Sequence, residues 1–261
     1  MAYTYQTFVD HAIKFTNAAN TTKDTWTDWH IVPTSRPVVN PPEANIIMDM
    51  IPGATEALDT SEAVGDMVTY GTRSGSWEFY VVNKTLWATV YSTIMNFLQG
   101  QFMKVQLTDD PGYYYTGRCQ VNDWQSDPDA SRITIDYTLN PYKYAVQDTS
   151  ENWKWDPFSF IDGVIPTGFQ SVDISDTQTT ISIPAPIMPV SPTFVITTSD
   201  DSAVTVVSSG SKWAGNGTYT IPKGTTTNPN IVMRGSTGTL KFTCESGVTG
   251  TVTVKYRGGS L

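Results

Sequence analysis

Aspartates, tyrosines, an arginine and a cysteine crowd into one stretch, LTDDPGYYYTGRCQV, from Leu107 to Val121. Asp109 and Asp110, and further on Asp127 and Asp129, are acid pairs of the kind that could hydrolyse a glycoside. That chemistry needs two carboxyl groups about 5–10 Å apart across a cleft, one of them with a raised pKa. Cys119 beside His11 or His30 would make a nucleophile and its base. Each set also has a plainer reading. Asp109-Asp110-Pro111-Gly112 is turn chemistry, with proline at the second turn position and aspartate before it. Asp127 and Asp129 sit in QSDPDAS, another turn sequence. Cys119 lies inside a run that alternates like a strand.

Other chemistries find less support. The sequence has no GxSxG, no GxxxxGK[ST] and no strand-GxGxxG-helix unit. Its two cysteines, Cys119 and Cys244, are far apart, no CxxC occurs, and the only histidines are His11 and His30. A Cys/His zinc site is therefore not expected, and two reduced, partly buried thiols are. Asp173 with Asp176, and Asp200 with Asp201, could bind calcium, but neither pair follows an EF-hand loop. Trp213 and Tyr219, in GSKWAGNGTYT, could stack on a sugar ring or belong to a core. No cofactor, metal or catalytic set is expected.

The elements around these residues read as follows. FMKVQLTD alternates, with Met103, Val105 and Leu107 on one face. The DDPG turn returns it as YYYTGRCQV, with Tyr114 on the opposite face from Tyr113 and Tyr115. ITIDYTLNP, where Ile133, Ile135, Tyr137 and Leu139 share a face, completes a three-stranded meander. The helix to cover it is NKTLWATVYSTIMNFLQG. Leu86, Trp87, Val90, Tyr91, Ile94, Phe97 and Leu98 recur at three- and four-residue spacing, with Asn83 as N-cap and Gly100 at the end. YTYQTFV and DTWTDWHIV read as strands. MVTYGTRSGSWEFYVV reads as a hairpin turning near Arg73-Ser74-Gly75.

Residues 33–66 differ in kind. Pro33, Pro37, Pro41, Pro42 and Pro52 exclude a central strand, yet NIIMDMIPG is apolar and extended, and Pro52-Gly53 marks a turn. A two-stranded hairpin is marginal alone in water, and an apolar edge invites pairing with another chain. This segment reads as an arm that docks on a neighbouring subunit through Pro41, Ile46, Ile47, Met48, Met50, Ile51 and Leu58; a floppy insertion is the alternative.

Three segments follow: an N-terminal domain over 1–148, an aromatic-rich linker over 149–168, and a C-terminal β-sandwich or jelly roll over 169–261. In the last, strands recur every 8–12 residues between turn residues: QSVDIS, TTISIP, TFVITT, AVTVVSS, GTYTIP, NIVMRG, GTLKFTC and GTVTVKY. The expected fold is mainly β, with one helix on a sheet in the N-terminal domain.

Charge is equally uneven. The chain has 261 residues and a net charge of −9. Residues 1–168 hold ten Lys/Arg against twenty Asp/Glu, while residues 169–261 hold six against five. No basic stripe is present to grip phosphates, so tight nucleic-acid binding is not expected. The N-terminus lacks the pattern of a signal peptide, and no run of about 18 apolar residues is present to insert in a membrane.

The ordered set PGATEALDTSEAVGDMVTYGTRSGSWEF, a Trp- and Tyr-bearing helix ending NFLQG, FMKVQLTDDPGYYYTGRCQV, ITIDYTLNPYKYA and a final GTVTVKYRGGSL resembles the distal tail proteins of long, flexible-tailed bacteriophages. The motifs cover about residues 50–145. The most specific carry Asp109, Asp110, Pro111, Gly112, Tyr113, Tyr114, Tyr115, Gly117 and Arg118. The resemblance implies a non-enzymatic virion protein at the tail tip, assembled in the host cytoplasm. It implies a hexameric ring whose arm belts the neighbouring subunit. The tail tube would lie above, and hub, fibre or receptor-binding proteins below. DNA would pass through without specific binding, which suits an acidic N-terminal half. The C-terminal domain would be galectin-like. The competing expectations are a carbohydrate-binding adhesin, using Trp213 and Tyr219 on cell-surface sugar, and a cell-wall hydrolase.

Overall fold

The structure, a computed structural model, describes residues 10–63, 67–82, 84–126, 131–147 and 171–261. The YTYQTFV strand, Asn83, the pair Asp127 and Asp129, and the 149–168 linker lie outside the described residues. Two compact units emerge. One holds the described residues up to Glu62 and from Val68 to Val146, the other those from 171 to Ser260. Both are built of antiparallel strands, and the protein is mainly β with a single α-helix among the described residues.

In the first unit, β1 (Ile13–Thr16), β2 (Thr22–Asp24), β3 (Ile31–Pro33), β6 (Arg73–Val81), β7 (Gln101–Leu107), β8 (Tyr113–Ser126) and β9 (Ser131–Leu139) form one sheet. Between them come β4 (Met48–Asp49) and β5 (Leu58–Asp59), which pair only with each other. The sheet order is β2-β1-β7-β8-β9-β6-β3, and the short β10 (Lys143–Ala145) pairs with the start of β8. The expected meander is β7-β8-β9, with the alternation as read: Met103, Val105 and Leu107 are buried, as are Ile133, Ile135, Tyr137 and Leu139. Helix α1 (Trp87–Leu98) covers this face with Ile94 and Leu98. These side chains join Phe15, Trp29, Trp77 and Phe79 in one core.

Three local expectations need correction. Leu86 is half exposed: it ends a 3-10 turn before the helix, where the 3.6-residue phase does not yet apply. DTWTDWHIV is two short strands around a turn, because the Asp24 carboxylate accepts the Trp26 and Thr27 N–H groups and closes the chain locally. Arg73-Ser74-Gly75 is no turn; it lies within β6, opposite Leu139, Thr138 and Tyr137. Gly75 is there for space, since a Cβ would sit 2.5 Å from Tyr137 Oη and 2.7 Å from Asn40 Nδ2. Strand β8 also carries a bulge between Val121 and Asp123, which alternation alone does not disclose. It inserts one residue, so Trp124 falls opposite buried Ile133 and stacks on Trp87, ring centroids 4.4 Å apart.

The second unit has two four-stranded sheets. One runs β11 (Val172–Ile174), β18 (Gly250–Lys255), β13 (Thr193–Thr198), β16 (Gly224–Thr227). The other runs β12 (Thr179–Ile183), β17 (Gly238–Thr243), β14 (Val204–Gly210), β15 (Gly217–Ile221). Phe194 of β13 and Phe242 of β17 are fully buried and meet edge to face at 5.9 Å, inside the sandwich. Two details differ from expectation. NIVMRG makes only isolated bridges, Val190 to Met233 and Ala214 to Val232. GTTT forms β16 although it has no apolar residue, because β13 supplies its ladder.

Candidate functional site

The arm leaves β3 at Pro33 and returns to β6 at Arg73. Its root is pinned to the sheet by side chains meeting its backbone. Trp77 Nε1 donates to Val38 O (2.8 Å), and the Asn40 N–H donates to Tyr137 Oη (3.0 Å). Arg73 Nη1 donates to Asn40 O (2.9 Å), and Asn40 Nδ2 donates to Ser74 O (2.8 Å). Trp77 and Tyr137 stack at 4.2 Å, so the two donors and acceptors are held by packing. Arg73 is buried, and its Nε also donates to Pro141 O (2.7 Å). Burial lowers the pKa of its guanidinium, while the nearby Tyr115 and Tyr137 phenols oppose the shift.

Beyond the root the two legs pair. The Asn45 N–H donates to Thr69 O (2.9 Å) and the Gly71 N–H to Glu43 O (2.8 Å). Then β4 and β5 form the tip ladder, Met48 opposite Asp59 and Asp49 opposite Leu58. The Ala54 N–H donates to Ile51 O (3.0 Å) with Gly53 at φ +88°, the geometry of a type II turn. Proline at its second position and glycine at its third are what that turn demands.

The described residues do not cover the tip. Met50 is 75% exposed and Ile46 65%, and Ile47, Met48, Ile51 and Leu58 are also exposed. Pro41, nearer the root, is exposed as well, while Pro42 beside it is half-buried. Between Arg36 and Arg73 the sequence has Glu43, Asp49, Glu56, Asp59, Glu62 and Asp66, and no lysine or arginine. Hydrogen bonds from Ser61 hold the Asp59 carboxyl below its ordinary value. The arm is therefore both apolar and anionic.

The DDPG hairpin divides its residues among structural tasks. Asp109 bridges His11 Nδ1 (2.7 Å) and Arg36 Nε (2.8 Å), tying the start of the arm to the β7–β8 turn. Burial disfavours its charge, but the bonds and charges of Arg36 and His11 outweigh that and hold its pKa below the ordinary value. A carboxyl so held does not suit a general acid. Asp110 pairs with Lys143 Nζ (2.9 Å), and Pro111 O accepts from Gln106 Nε2 (2.7 Å). Gly112 O accepts from the Val146 N–H (2.9 Å). The Lys143 ammonium lies over the Tyr113 ring at 4.4 Å, and Tyr114 stacks on Tyr144 at 5.7 Å. Tyr115 faces the core under Arg73, and Gly117 abuts Leu139. Arg118 Nη1 donates to Gly100 O (2.7 Å) just past the helix.

Cys119 is buried, which pushes its thiol up to about 12, the reverse of what a nucleophile needs. Trp213 is 5% exposed. Its indole lies across Gly210 and Gly238, and Nε1 donates to Ser236 O (2.9 Å). It is a core residue, with no free ring face for a sugar. Tyr219 is half-buried and its hydroxyl donates to Gly215 O (2.7 Å). The pinning residues Arg73, Trp77 and Tyr137 were missed as a group. They are distant in sequence and carry no shared motif.

These elements define a class of protein: a helix-backed antiparallel sheet with a projecting hairpin, and a sandwich of two four-stranded sheets. That is the fold implied by the resemblance to phage distal tail proteins. The crystal structure of the SPP1 Dit (gp 19.1) protein, described as a paradigm of the hub adsorption apparatus in Gram-positive-infecting phages, matches 94% of this chain and 99% of its own. The TM-score is 0.53 and the sequence identity 14%, so the likeness is one of fold. No protein-family model and no curated protein matches the sequence.

Proposed function

We propose that this chain is a structural protein of a phage tail tip, forming a hexameric ring between the tail tube and the hub, fibre or receptor-binding proteins. The fold likeness to SPP1 Dit, over nearly the whole of both chains, carries this reading. The arm supplies a physical reason for assembly. A two-stranded ribbon with its apolar side chains in water is marginal alone, and burying each of them against a neighbour contributes about 1.5–3 kcal/mol. Its root, pinned by Arg73, Trp77 and Tyr137, presents the ribbon without ordering it anew on binding. The acidic N-terminal half suits a channel that DNA traverses without sticking.

Class-averaged electron micrographs of the purified full chain test this. The expected result is six-fold rings with a central hole, and a light-scattering mass about six times the 28.7 kDa chain. A strict monomer at micromolar concentration overturns it.

A further inference from the structure

Asn216 and Gly217 form the only Asn-Gly pair in the sequence. Such a pair is chemically labile. Glycine has no Cβ to screen its backbone nitrogen, so that nitrogen can reach the side-chain carbon of the asparagine before it. In an unfolded chain the pair loses ammonia through a cyclic imide. Here it closes the β14–β15 hairpin, and both reacting groups are engaged.

The side-chain amide of Asn216 meets the backbone of Gly210 twice. Its Oδ1 accepts from the Gly210 N–H (2.9 Å), and its Nδ2 donates to Gly210 O (2.8 Å). The Gly217 nitrogen is held as well. Its N–H donates to Ser208 Oγ (3.2 Å), and that hydroxyl donates to Gly215 O (2.8 Å). Ser208 is buried, so this pair of bonds is shielded from water. The loop between is fixed from both sides. Tyr219 Oη also donates to Gly215 O, and Ala214 exchanges both backbone bonds with Val232 (3.0 Å each).

We propose that Asn216 is a deamidation site, and that its clamp on Gly210 and the Ser208 hydroxyl set the rate. In the closed hairpin the amide is held against Gly210 and the Gly217 proton is bound, so attack waits for the hairpin to open. Once it opens, the Gly217 nitrogen gives its proton to hydroxide and bonds to Asn216 Cγ. The Cγ–Nδ2 bond breaks, and Nδ2 takes up a proton and leaves as ammonia. Water then opens the imide at either carbonyl, giving aspartate or isoaspartate. Neither product restores the clamp. A carboxylate has no N–H to donate to Gly210 O, so one oxygen would face another. Isoaspartate also adds a main-chain carbon and disrupts the pairing of Ser208 with Gly217. A single opening is thereby made permanent. The change reaches the core, because Gly210 lies against the Trp213 ring and its carbonyl also accepts the Trp213 N–H (3.2 Å).

Mass spectrometry of the full chain, aged at mildly alkaline pH and mapped by peptide, tests this. The same chain aged in urea gives the rate of the unfolded pair. The folded chain should deamidate at Asn216 at least about tenfold more slowly, because reaction through an opened state tracks its population. Ser208→Ala leaves the Gly217 N–H without its acceptor and should raise the folded-state rate by about tenfold, with thermal melting to verify that the variant folds. A folded wild type that deamidates as fast as the unfolded chain overturns the proposal. So does a folded Ser208→Ala chain that ages like the wild type, or an Asn216 that stays intact in urea. If Ser208→Ala does not fold, the comparison of folded with unfolded wild type decides alone.

Discussion

The root and the tip of the arm are held in opposite ways. At the root, the backbone groups of Val38 and Asn40 are met by the side chains of Trp77, Tyr137 and Arg73. At the tip, Met48–Asp49 and Leu58–Asp59 pair only with each other, and their side chains stand in solvent. Peripheral chain of this kind is stabilised by what it is packed on. The root has its support within the chain, and among the described residues nothing packs on the tip. A hairpin held where it starts and uncovered where it ends is what the proposed ring requires of an arm.

If that contrast holds, substitutions at the two ends should fail in different ways. The largest effect belongs to the tip. Replacing Met48, Met50 and Ile51 together with serine removes three large apolar side chains from the expected contact, forfeiting about 5 kcal/mol or more. Assembly should vanish in light scattering, while thermal stability of the monomer stays within about 0.5 kcal/mol per site. The root should behave the other way. Trp77→Ala deletes the stack on Tyr137, the edge contact with Phe15 and the bond to Val38 O. It should cost about 3–5 kcal/mol in denaturant unfolding. Equal loss of stability at tip and root would erase the distinction.

Gly75→Ala sharpens the comparison, because it touches the root without removing a bond directly. The new methyl meets Tyr137 Oη and Asn40 Nδ2, both inside bonding distance of the clamp. Overpacking of this kind costs about 1–3 kcal/mol. Asn40 should move, and hydrogen exchange at its N–H, which donates to Tyr137 Oη, should speed up before that of the sheet interior.

Gly75 also shows what the sequence did and did not disclose. Glycine in TRSGSW looks like a turn, because a turn and a tight side-chain approach need the same missing Cβ. Only the fold shows Tyr137, 62 positions away, filling that space. Where a signal is local and periodic it was legible: β7, β8 and β9 follow from alternation, the tip turn from Pro52-Gly53, and α1 from its spacing. Where identity alone had to decide, it was not. Trp213 has the composition context of a sugar-stacking residue, yet Gly210 and Gly238 make room for it inside the sandwich. Strand β16 carries no hydrophobic signal because its partner strand, not its own side chains, sets it in the sheet. The clamp was illegible for the same reason as Gly75: its members are joined by topology.

The smallest expected effect probes where root meets hairpin. Asp109 joins His11 and Arg36, so it fastens the start of the arm to the β7–β8 turn. Its folded pKa lies below the ordinary aspartate value of 3.8. A depressed carboxylate contributes stability that is present above the unfolded value and is lost as pH falls through the folded one. Asp109→Asn should therefore lower the melting temperature at neutral pH and make no difference once pH has dropped well below 3.8. The loss should be modest, under about 1 kcal/mol, because Arg36 is largely in solvent and exposed ion pairs are weak. Melting curves of both proteins between neutral and acid pH read it directly. Curves that stay parallel down to the acid limit would show that the arm is held by Trp77, Tyr137 and Arg73 alone, and that the charge at Asp109 has no part in setting its direction.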